Sequence, residues 1–272
     1  MNKQWFTFPD IDEVAIYLGP LKIYWYALAY LAGIIIAMML MNREARKSET
    51  PFVVDDIARL TNNCVLGIII GGRLGFVLFY NAEYYLSAPL EIFKFWNGGM
   101  SFHGGFLGVI AATMLTVRKT RIPFFSISDL LVCVAPIGLF FGRIANFING
   151  ELFGRITEHP VGIVFPDGGP LPRHPSQLYE AFLEGFLIFI ILNGLRFLKL
   201  NLPAGFLTGL FFILYGTGRI LAEFTREPNA HIGFITTIGN IQITIGQALS
   251  APILLTGVIL LYLSLKHKSN LK

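Results

Sequence analysis

Charged residues are scarce in this chain, and their scarcity restricts what the protein can do. Only 14% of its 272 residues are charged and 54% are hydrophobic, whereas a soluble domain is about 25% charged. A globular core of this size cannot remove so much apolar surface from water. The composition therefore predicts an integral membrane protein and excludes a soluble enzyme, a nucleic-acid-binding protein and a disordered chain. We interpret the net charge of +4 as a signal of membrane orientation.

Cysteines and metal-ligand patterns are also lacking. The chain has two cysteines, Cys64 and Cys133, and both lie in apolar stretches. They predict buried thiols and exclude a disulfide framework or a zinc cluster. The histidines lack metal-ligand spacing, so we expect neither a metal site nor a cofactor.

Long apolar stretches dominate what is present. Seven of them approach the roughly 20 residues that a spanning helix needs. They are residues 23–41, 60–80, 98–117, 122–142, 179–195 and 200–218, with a last span inside 232–265 that starts near Ile243. We therefore expect an all-α integral membrane protein with seven transmembrane helices, forming a single membrane-embedded domain over residues 1–272. The proline-rich connection 143–178 predicts a small periplasmic head, with a short strand and turn at 161–168.

The distribution of lysine and arginine predicts the orientation. One set of connections (42–57, 118–122, 196–201 and 266–272) holds eleven of these residues, and the opposite set holds seven. Cytoplasmic loops carry the excess of positive charge. We expect a bacterial inner-membrane protein with a periplasmic N-terminus and a cytoplasmic C-terminus.

Several ionisable residues fall inside the predicted spans or at their ends. A charge at the bilayer centre costs roughly 2.5–3.5 kcal/mol on insertion scales, so such residues face a bundle interior or a wet cavity. We interpret Asp129 as a boundary residue near Arg121. The others are Arg73, His103, Arg143, Glu151, Glu180, Glu184, Arg219 and Glu223.

Two motifs combine arginine with other polar groups. Tyr215, Arg219 and Glu223 follow each other at four-residue spacing, which places them on one helix face. Residues 142–151 hold Arg143 with two asparagines and a glutamate. An arginine fork suits phosphate oxygens, so both motifs are candidates for a lipid-headgroup site. A structural salt bridge for the first motif, and a solvated polar helix end for the second, remain the alternatives.

Two further segments have both a functional and a structural interpretation. His103 follows Ser101 and precedes two glycines, so its imidazole is a candidate general base or a structural residue at a helix start. Ser101 and His103 point apart on a helix and no nucleophile elbow exists, which disfavours a serine hydrolase. Residues 173–180 either cap the following span through Ser176 or contribute to a site.

Four ordered motifs resemble the family of bacterial phosphatidylglycerol–prolipoprotein diacylglyceryl transferases. The signature Gly-Arg-x-x-Asn-Phe-x-Asn-x-Glu-x-x-Gly is met in full at 142–154, and Ser-Phe-His-Gly-Gly stands at 101–105. The stretch Arg-His-Pro-Ser-Gln-Leu-Tyr-Glu stands at 173–180. A late Tyr-Gly-x-x-Arg…Glu…Arg-Glu-Pro pattern is formed by Tyr215, Gly216, Arg219, Glu223, Arg226, Glu227 and Pro228. Ile220 and Asn229 are mild departures, where phenylalanine and aspartate are usual. The resemblance covers nearly the whole chain.

The resemblance implies an enzyme that moves a diacylglyceryl group from phosphatidylglycerol to the lipobox cysteine thiol of a preprolipoprotein. The products would be a thioether and glycerol 1-phosphate, and the partners phosphatidylglycerol, the lipobox segment and membrane lipids. Arg143 and Arg219 would stabilise the leaving phosphate. His103 would accept the thiol proton, while Glu151 and Glu223 would orient the arginines or replace His103 as the base. The substrate-binding residues would be Tyr26, Asn146, Asn149, Gly154, Tyr215 and Glu223.

Other classes of membrane protein compete with this interpretation. A transporter also carries buried arginine and glutamate, but no inverted repeat is found here. A structural scaffold would tolerate loss of the polar residues except through misfolding. An intramembrane hydrolase would form no thioether.

Overall fold

The protein is mostly helical and divides into two compact units. The structure, a computed structural model, describes residues 5–9, 11–48, 50–94, 98–198, 200–228, 233–238 and 241–269. Met38–Ser128 form the small unit, and Met1–Ala37 together with Asp129–Lys272 form the large unit. The helices are α1 (Trp25–Ala45), α2 (Val54–Tyr80), α3 (Ala82–Ser87), α4 (Phe102–Thr120), α5 (Phe124–Ile148), α6 (Ser176–Phe197), α7 (Phe206–Glu223) and α8 (Ile245–Ser269).

Within the residues that the structure describes, six helices are long and apolar enough to cross a membrane: α1, α2, α5, α6, α7 and α8. The prediction of a helical, multi-pass membrane protein is confirmed to this extent. The predicted stretch 98–117 forms α4, which is not among the six and which carries Arg118 and Lys119 in its last turn. The predicted span at 200–218 starts later, at Phe206, because Pro203 precedes it and Gly205 takes a left-handed φ of 86°.

In the described part of the chain, three short two-stranded sheets accompany the helices, beyond the all-α expectation. The antiparallel pairs are β2 (Val14–Leu18) with β3 (Leu21–Tyr24), and β5 (Phe234–Ile238) with β6 (Ile241–Thr244). The parallel pair is β1 (Phe6–Thr7) with β4 (Ile163–Val164). A 3₁₀ turn at Pro166–Gly168 follows β4, so the predicted short strand and turn are confirmed. Phe8, Ile163 and Phe165 form the buried core of this region.

In the small unit, α2 and α4 meet along a seam of glycines. A side chain at Gly71 would overlap the carbonyl oxygen of Gly104, and one at Gly67 would overlap that of Gly108. Small residues of this kind allow the backbones of membrane helices to approach closely. Any larger side chain at these positions would separate the two helices.

Arg73, which the sequence placed inside a span, is buried in the small unit. Its guanidinium donates hydrogen bonds to the carbonyls of Glu91 (2.7 Å), Ile92 (2.8 Å) and Gly98 (2.5 Å). It also lies 5.2 Å from the ring centroid of Tyr85. These acceptors satisfy the buried charge and attach the segment after α3 to α2.

In the large unit, Asp129 of α5 caps the start of α7. Its carboxylate accepts hydrogen bonds from the backbone N–H groups of Gly205 and Thr208, both at 2.8 Å. A carboxylate at a helix N-terminus satisfies otherwise unpaired donors and favours the helix dipole. The position of Asp129 at a helix boundary therefore has a structural reason. At the other side of α7, Gly209 and Gly257 allow close packing with α8.

The two cysteines are both buried, and neither forms a disulfide. Cys133 lies in an apolar cluster with Ile188, Leu192 and Leu207. This agrees with the sequence-based expectation of buried thiols.

Candidate functional site

The large unit holds a cluster of arginines around two buried glutamates. Arg143 lies near the end of α5, Arg219 lies in α7, and Glu180 and Glu184 lie in α6. Nε of Arg143 is 2.8 Å from Oε2 of Glu180, and Nη1 of Arg219 is 2.7 Å from Oε1 of the same carboxylate. Glu180 is 1% exposed and Glu184 is fully buried, whereas Arg143 and Arg219 are 20% and 15% exposed. The acids are thus the enclosed side of the cluster, and the guanidiniums are its accessible side.

Further ion pairs complete this cluster. Arg219 also contacts Glu223, with 2.7 Å between Nη2 and Oε2, and Arg226 contacts Glu180 at 2.8 Å. Glu184 lies 3.4 Å from Arg143 and 3.5 Å from Arg219. Three arginines and three glutamates give a formal charge of +3 − 3 = 0. Pairing of this kind allows charged groups to persist at membrane depth.

The glutamates of the cluster come from an irregular part of α6. A π-helical turn at Ala181–Phe186 interrupts the helix directly after Glu180. Such turns frequently mark functional sites. Gly185 within the turn faces Phe140 of α5, and a Cβ there would lie 2.6 Å from the Phe140 Cβ. A glycine at this position therefore keeps α6 close to the helix that carries Arg143.

A second polar group lies at the end of α5. Nδ2 of Asn146 donates to Oε1 of Glu151 at 3.0 Å and to the hydroxyl of Tyr26. Tyr26 comes from the start of α1, so the group joins two helices and the loop after α5. Asn149 presents a buried Oδ1 that accepts no hydrogen bond from the described residues.

Gly154 lies where two chain segments approach each other closely. Its N–H donates to the carbonyl of His174 at 2.8 Å, and its own carbonyl accepts from Arg173 at 3.2 Å. A side chain at Gly154 would overlap the carbonyl of Thr225. Thr225 precedes Arg226, so this contact attaches the loop after α5 to the segment that follows α7.

The segment 173–180 differs from its predicted capping role. Pro175, not Ser176, is the N-cap of α6, and the Ser176 hydroxyl donates to the carbonyl of Leu152 at 2.9 Å. The capping interpretation of Ser176 is therefore wrong, because its hydroxyl is directed to another loop. Burial lowers the pKa of the neighbouring His174 imidazole below its usual value, with a smaller contribution from His159.

His103 belongs to the small unit, whereas the other predicted site residues belong to the large unit. It is the second residue of α4 and is exposed. Ser101 caps this helix by accepting from the N–H of Gly104 at 3.2 Å. The predicted helix start at this motif is confirmed.

Comparison with known proteins identifies the family. A family model described as prolipoprotein diacylglyceryl transferase matches residues 13–263. The chain is 50% identical over 264 residues to the phosphatidylglycerol–prolipoprotein diacylglyceryl transferase of Rhodospirillum rubrum, covering 96% of this chain and 95% of the relative. It is 48% identical over 261 residues to the enzyme of that name from Photobacterium profundum, covering 96% of both chains. The chain belongs to the prolipoprotein diacylglyceryl transferase family. The resemblance seen in the motifs is thereby confirmed, and the family is one of transferases.

In this member of the prolipoprotein diacylglyceryl transferase family, nine predicted site residues lie in the large unit. Arg143 and Arg219 are joined through Glu180, and Glu223 pairs with Arg219. Tyr26, Asn146 and Glu151 are joined by hydrogen bonds through the Asn146 amide. Tyr215 stacks on Phe211, with ring centroids 5.9 Å apart. No group of three metal-ligating side chains occurs among the residues that the structure describes.

Sequence reasoning did not reveal that Glu180, Glu184 and Arg226 belong to the arginine–glutamate cluster. Glu180 was identified as an ionisable residue in a span and as the last residue of the motif 173–180. Glu184 was identified only as an ionisable residue, and Arg226 only as part of the late motif. Their four-residue spacing along α6 was a signal that both acids face the same neighbour. Arg219 lies 39 residues from Glu180 along the chain, and Arg143 lies 41 residues from Glu184. Residue spacing within one helix cannot reveal such contacts.

Proposed function

We propose that the protein transfers the diacylglyceryl group of phosphatidylglycerol to the lipobox cysteine of preprolipoproteins, the first step of bacterial lipoprotein maturation. The cysteine thiol loses its proton to a base, and the thiolate attacks the sp3 carbon of the glyceryl group that carries the phosphate ester. The carbon–oxygen bond breaks as the carbon–sulfur bond forms. The products are a thioether and glycerol 1-phosphate, which retains the electron pair of the broken bond.

The shared carboxylate of Glu180 is the observation that carries this proposal. Arg143 and Arg219 each contact one of its two oxygens, at 2.8 and 2.7 Å. Their guanidiniums therefore converge on one small anion, which is the arrangement that an oxyanion of phosphate requires. Both arginines are partly accessible, so they can reach a phosphate on the open side of the cluster. Negative charge that grows on the leaving group would then be stabilised in the transition state.

We assign the proton transfer from the thiol to His103. Its exposed imidazole at the start of α4 can act as a base near neutral pH. Glu151 is the alternative base, because it is exposed and hydrogen-bonded to Asn146. Glu223 is 6% exposed and paired with Arg219, which suits a group that orients the arginine.

The remaining site residues would bind the phosphatidylglycerol headgroup. The hydroxyl of Tyr26 and the amide of Asn146 can bind glycerol hydroxyls. The buried Oδ1 of Asn149, which accepts nothing within the described part of the chain, can accept from such a hydroxyl. Gly154 would permit close approach, and Tyr215 would border the arginine cluster. The reaction needs no metal and no cofactor.

The proposed membrane arrangement has seven spanning helices in one domain, with α4 as the seventh. The N-terminus and the segment 143–178 lie on the periplasmic side of the bacterial inner membrane, and the C-terminus lies in the cytoplasm. The basic residues at the end of α4, Arg118 and Lys119, support a cytoplasmic location for that end.

The proposal is tested with purified protein, phosphatidylglycerol and a lipobox peptide. Mass spectrometry should detect a peptide carrying a diacylglyceryl group, together with released glycerol 1-phosphate. A peptide with serine in place of the lipobox cysteine should remain unmodified. Release of glycerol 1-phosphate without a peptide adduct would indicate a hydrolase. The absence of both products would contradict the proposal.

A further inference from the structure

The loop that follows α5 carries Glu151, and two buried side chains at the start of α6 hold the backbone of this loop. Nε2 of Gln177 donates to the Glu151 carbonyl at 2.5 Å, and Oγ of Ser176 donates to the Leu152 carbonyl at 2.9 Å. Gln177 is 1% exposed and Ser176 is fully buried. We propose that Ser176 and Gln177 are positioning residues, which fix the backbone of Glu151 and Leu152 so that the Glu151 carboxylate reaches its partners. This inference rests on the proposed function of Glu151 in the transferase site.

The loop needs an external restraint because its own backbone is unfavourable. Leu152 has a φ of 56°, and Gly150 has a φ of 67°. Glycine adopts such values at no steric cost, but a leucine there is strained and persists only when the surroundings determine it. The two carbonyls held by Ser176 and Gln177 are those of Leu152 itself and of the residue before it. The restraint is therefore applied where the strain lies.

Two hydrogen bonds join Glu151 to Asn146 of α5, one through the Glu151 backbone and one through its side chain. The Glu151 N–H donates to the Asn146 carbonyl at 3.1 Å, while the Glu151 side chain accepts from Asn146 at 3.0 Å. Tyr26 joins the same group. A shift of the Glu151 backbone of about 1 Å would break the side-chain contact, since hydrogen bonds weaken strongly beyond about 3.5 Å. Gln177 thus acts on Tyr26 and Asn146 through Glu151.

The decisive experiment measures coupling between Gln177 and Glu151. Gln177→Met keeps the size of the side chain but removes the donor, and we expect kcat to fall about tenfold, equivalent to about 1.4 kcal/mol of barrier. In a Glu151→Gln background the same change should lower kcat less than twofold, because the group it positions is already lost. Equal losses in both backgrounds would show a purely structural role and overturn the proposal.

Ser176 provides an independent variant with a matched control. Ser176→Ala removes the hydroxyl, and we expect kcat to fall while KM for phosphatidylglycerol changes less than twofold; Ser176→Thr should restore part of the rate. Ser264 makes an equivalent buried contact in α8, with its hydroxyl 3.0 Å from the Ala204 carbonyl. Ser264→Ala should leave kcat unchanged. An equal loss in both alanine variants would contradict the proposal.

A readout without catalysis separates this inference from the proposed function. Hydrogen–deuterium exchange of a peptide covering residues 149–154 should accelerate in Gln177→Met and Ser176→Ala, but not in Ser264→Ala. Unchanged exchange would refute the positioning role whether or not the wild-type protein transfers lipid. Faster exchange in a protein that modifies no lipobox peptide would instead refute the proposed function alone.

Discussion

The charge balance of the arginine cluster gives the sharpest prediction. Glu180 is 1% exposed and contacts Arg143, Arg219 and Arg226. Glu180→Gln keeps the shape of the side chain but changes the formal charge of the cluster from 0 to +3 − 2 = +1. The variant therefore leaves one positive charge uncompensated among groups that are 15–21% exposed.

The expected magnitude follows from the burial of the lost partner. Removing one member of a buried ion pair costs about 3–5 kcal/mol, because the other charge remains in a poor environment. For a unit of 150–250 residues, each kcal/mol shifts Tm by roughly 2–4 °C, so we expect a decrease of roughly 6–20 °C. An anion that binds the folded state recovers stability according to its concentration and affinity. Phosphatidylglycerol should therefore restore more of the loss than phosphatidylcholine.

The assay is thermal unfolding in neutral detergent, with and without each lipid. Glu83 is exposed in α3, so Glu83→Gln serves as the matched control and should unfold within about 1 °C of the wild type. The reasoning is refuted if Glu180→Gln unfolds as the control does. Equal recovery with phosphatidylglycerol and phosphatidylcholine would refute the anion-binding part.

Four other outcomes are expected. Arg143→Lys and Arg219→Lys should lower the initial transfer rate about 100- to 1000-fold, because lysine loses the planar fork; a stable variant within about threefold of wild type would show an ion-pair role only. His103→Gln should lose transfer activity and regain part of it at high pH, because a free thiol ionises at about pH 8.5 without a base. Near-native turnover of this variant would favour a carboxylate as the base. Gly71→Val should separate α2 from α4 and lower Tm. The control is Gly194→Val in α6, where an added Cβ meets no atom within 4 Å, and an unchanged Tm in Gly71→Val would contradict the glycine seam. A reporter active only in the periplasm, fused after Lys272 (outside the described residues), should stay silent; activity would reverse the topology.

The helices were predictable from the sequence, but their ends were less so. Apolar runs of about 20 residues locate the spans because the bilayer imposes their length. The start of α6 at Ser176 was placed three residues late, because Glu180 and its neighbours raise the polarity of the first turn. α5 continues past residue 142 and takes Arg143 into the helix. There the pairing of a charge with distant acids overrides the local hydropathy.

The polar residues of the site were predictable one helix at a time. The spacing of Arg219 and Glu223 predicted their contact, and the structure gives 2.7 Å. The use of Glu180 by three arginines was not predictable, because the partners lie on α5, α7 and the segment after α7. The restraint of Leu152 by Ser176 also depends on a backbone φ that no sequence pattern records.

The number of contacts made by each guanidinium explains why arginine is suited to this cluster. Arg219 uses Nη1 for Glu180 and Glu184 and Nη2 for Glu223, so one planar group holds three acids from two helices. A lysine has a single ammonium at the end of a flexible chain, which cannot reproduce this geometry. The acids offset the positive charge of the arginines through these ion pairs. In the proposed reaction, a phosphate on the accessible side would share donors that these ion pairs already position, and we expect little reorganisation when negative charge develops on it.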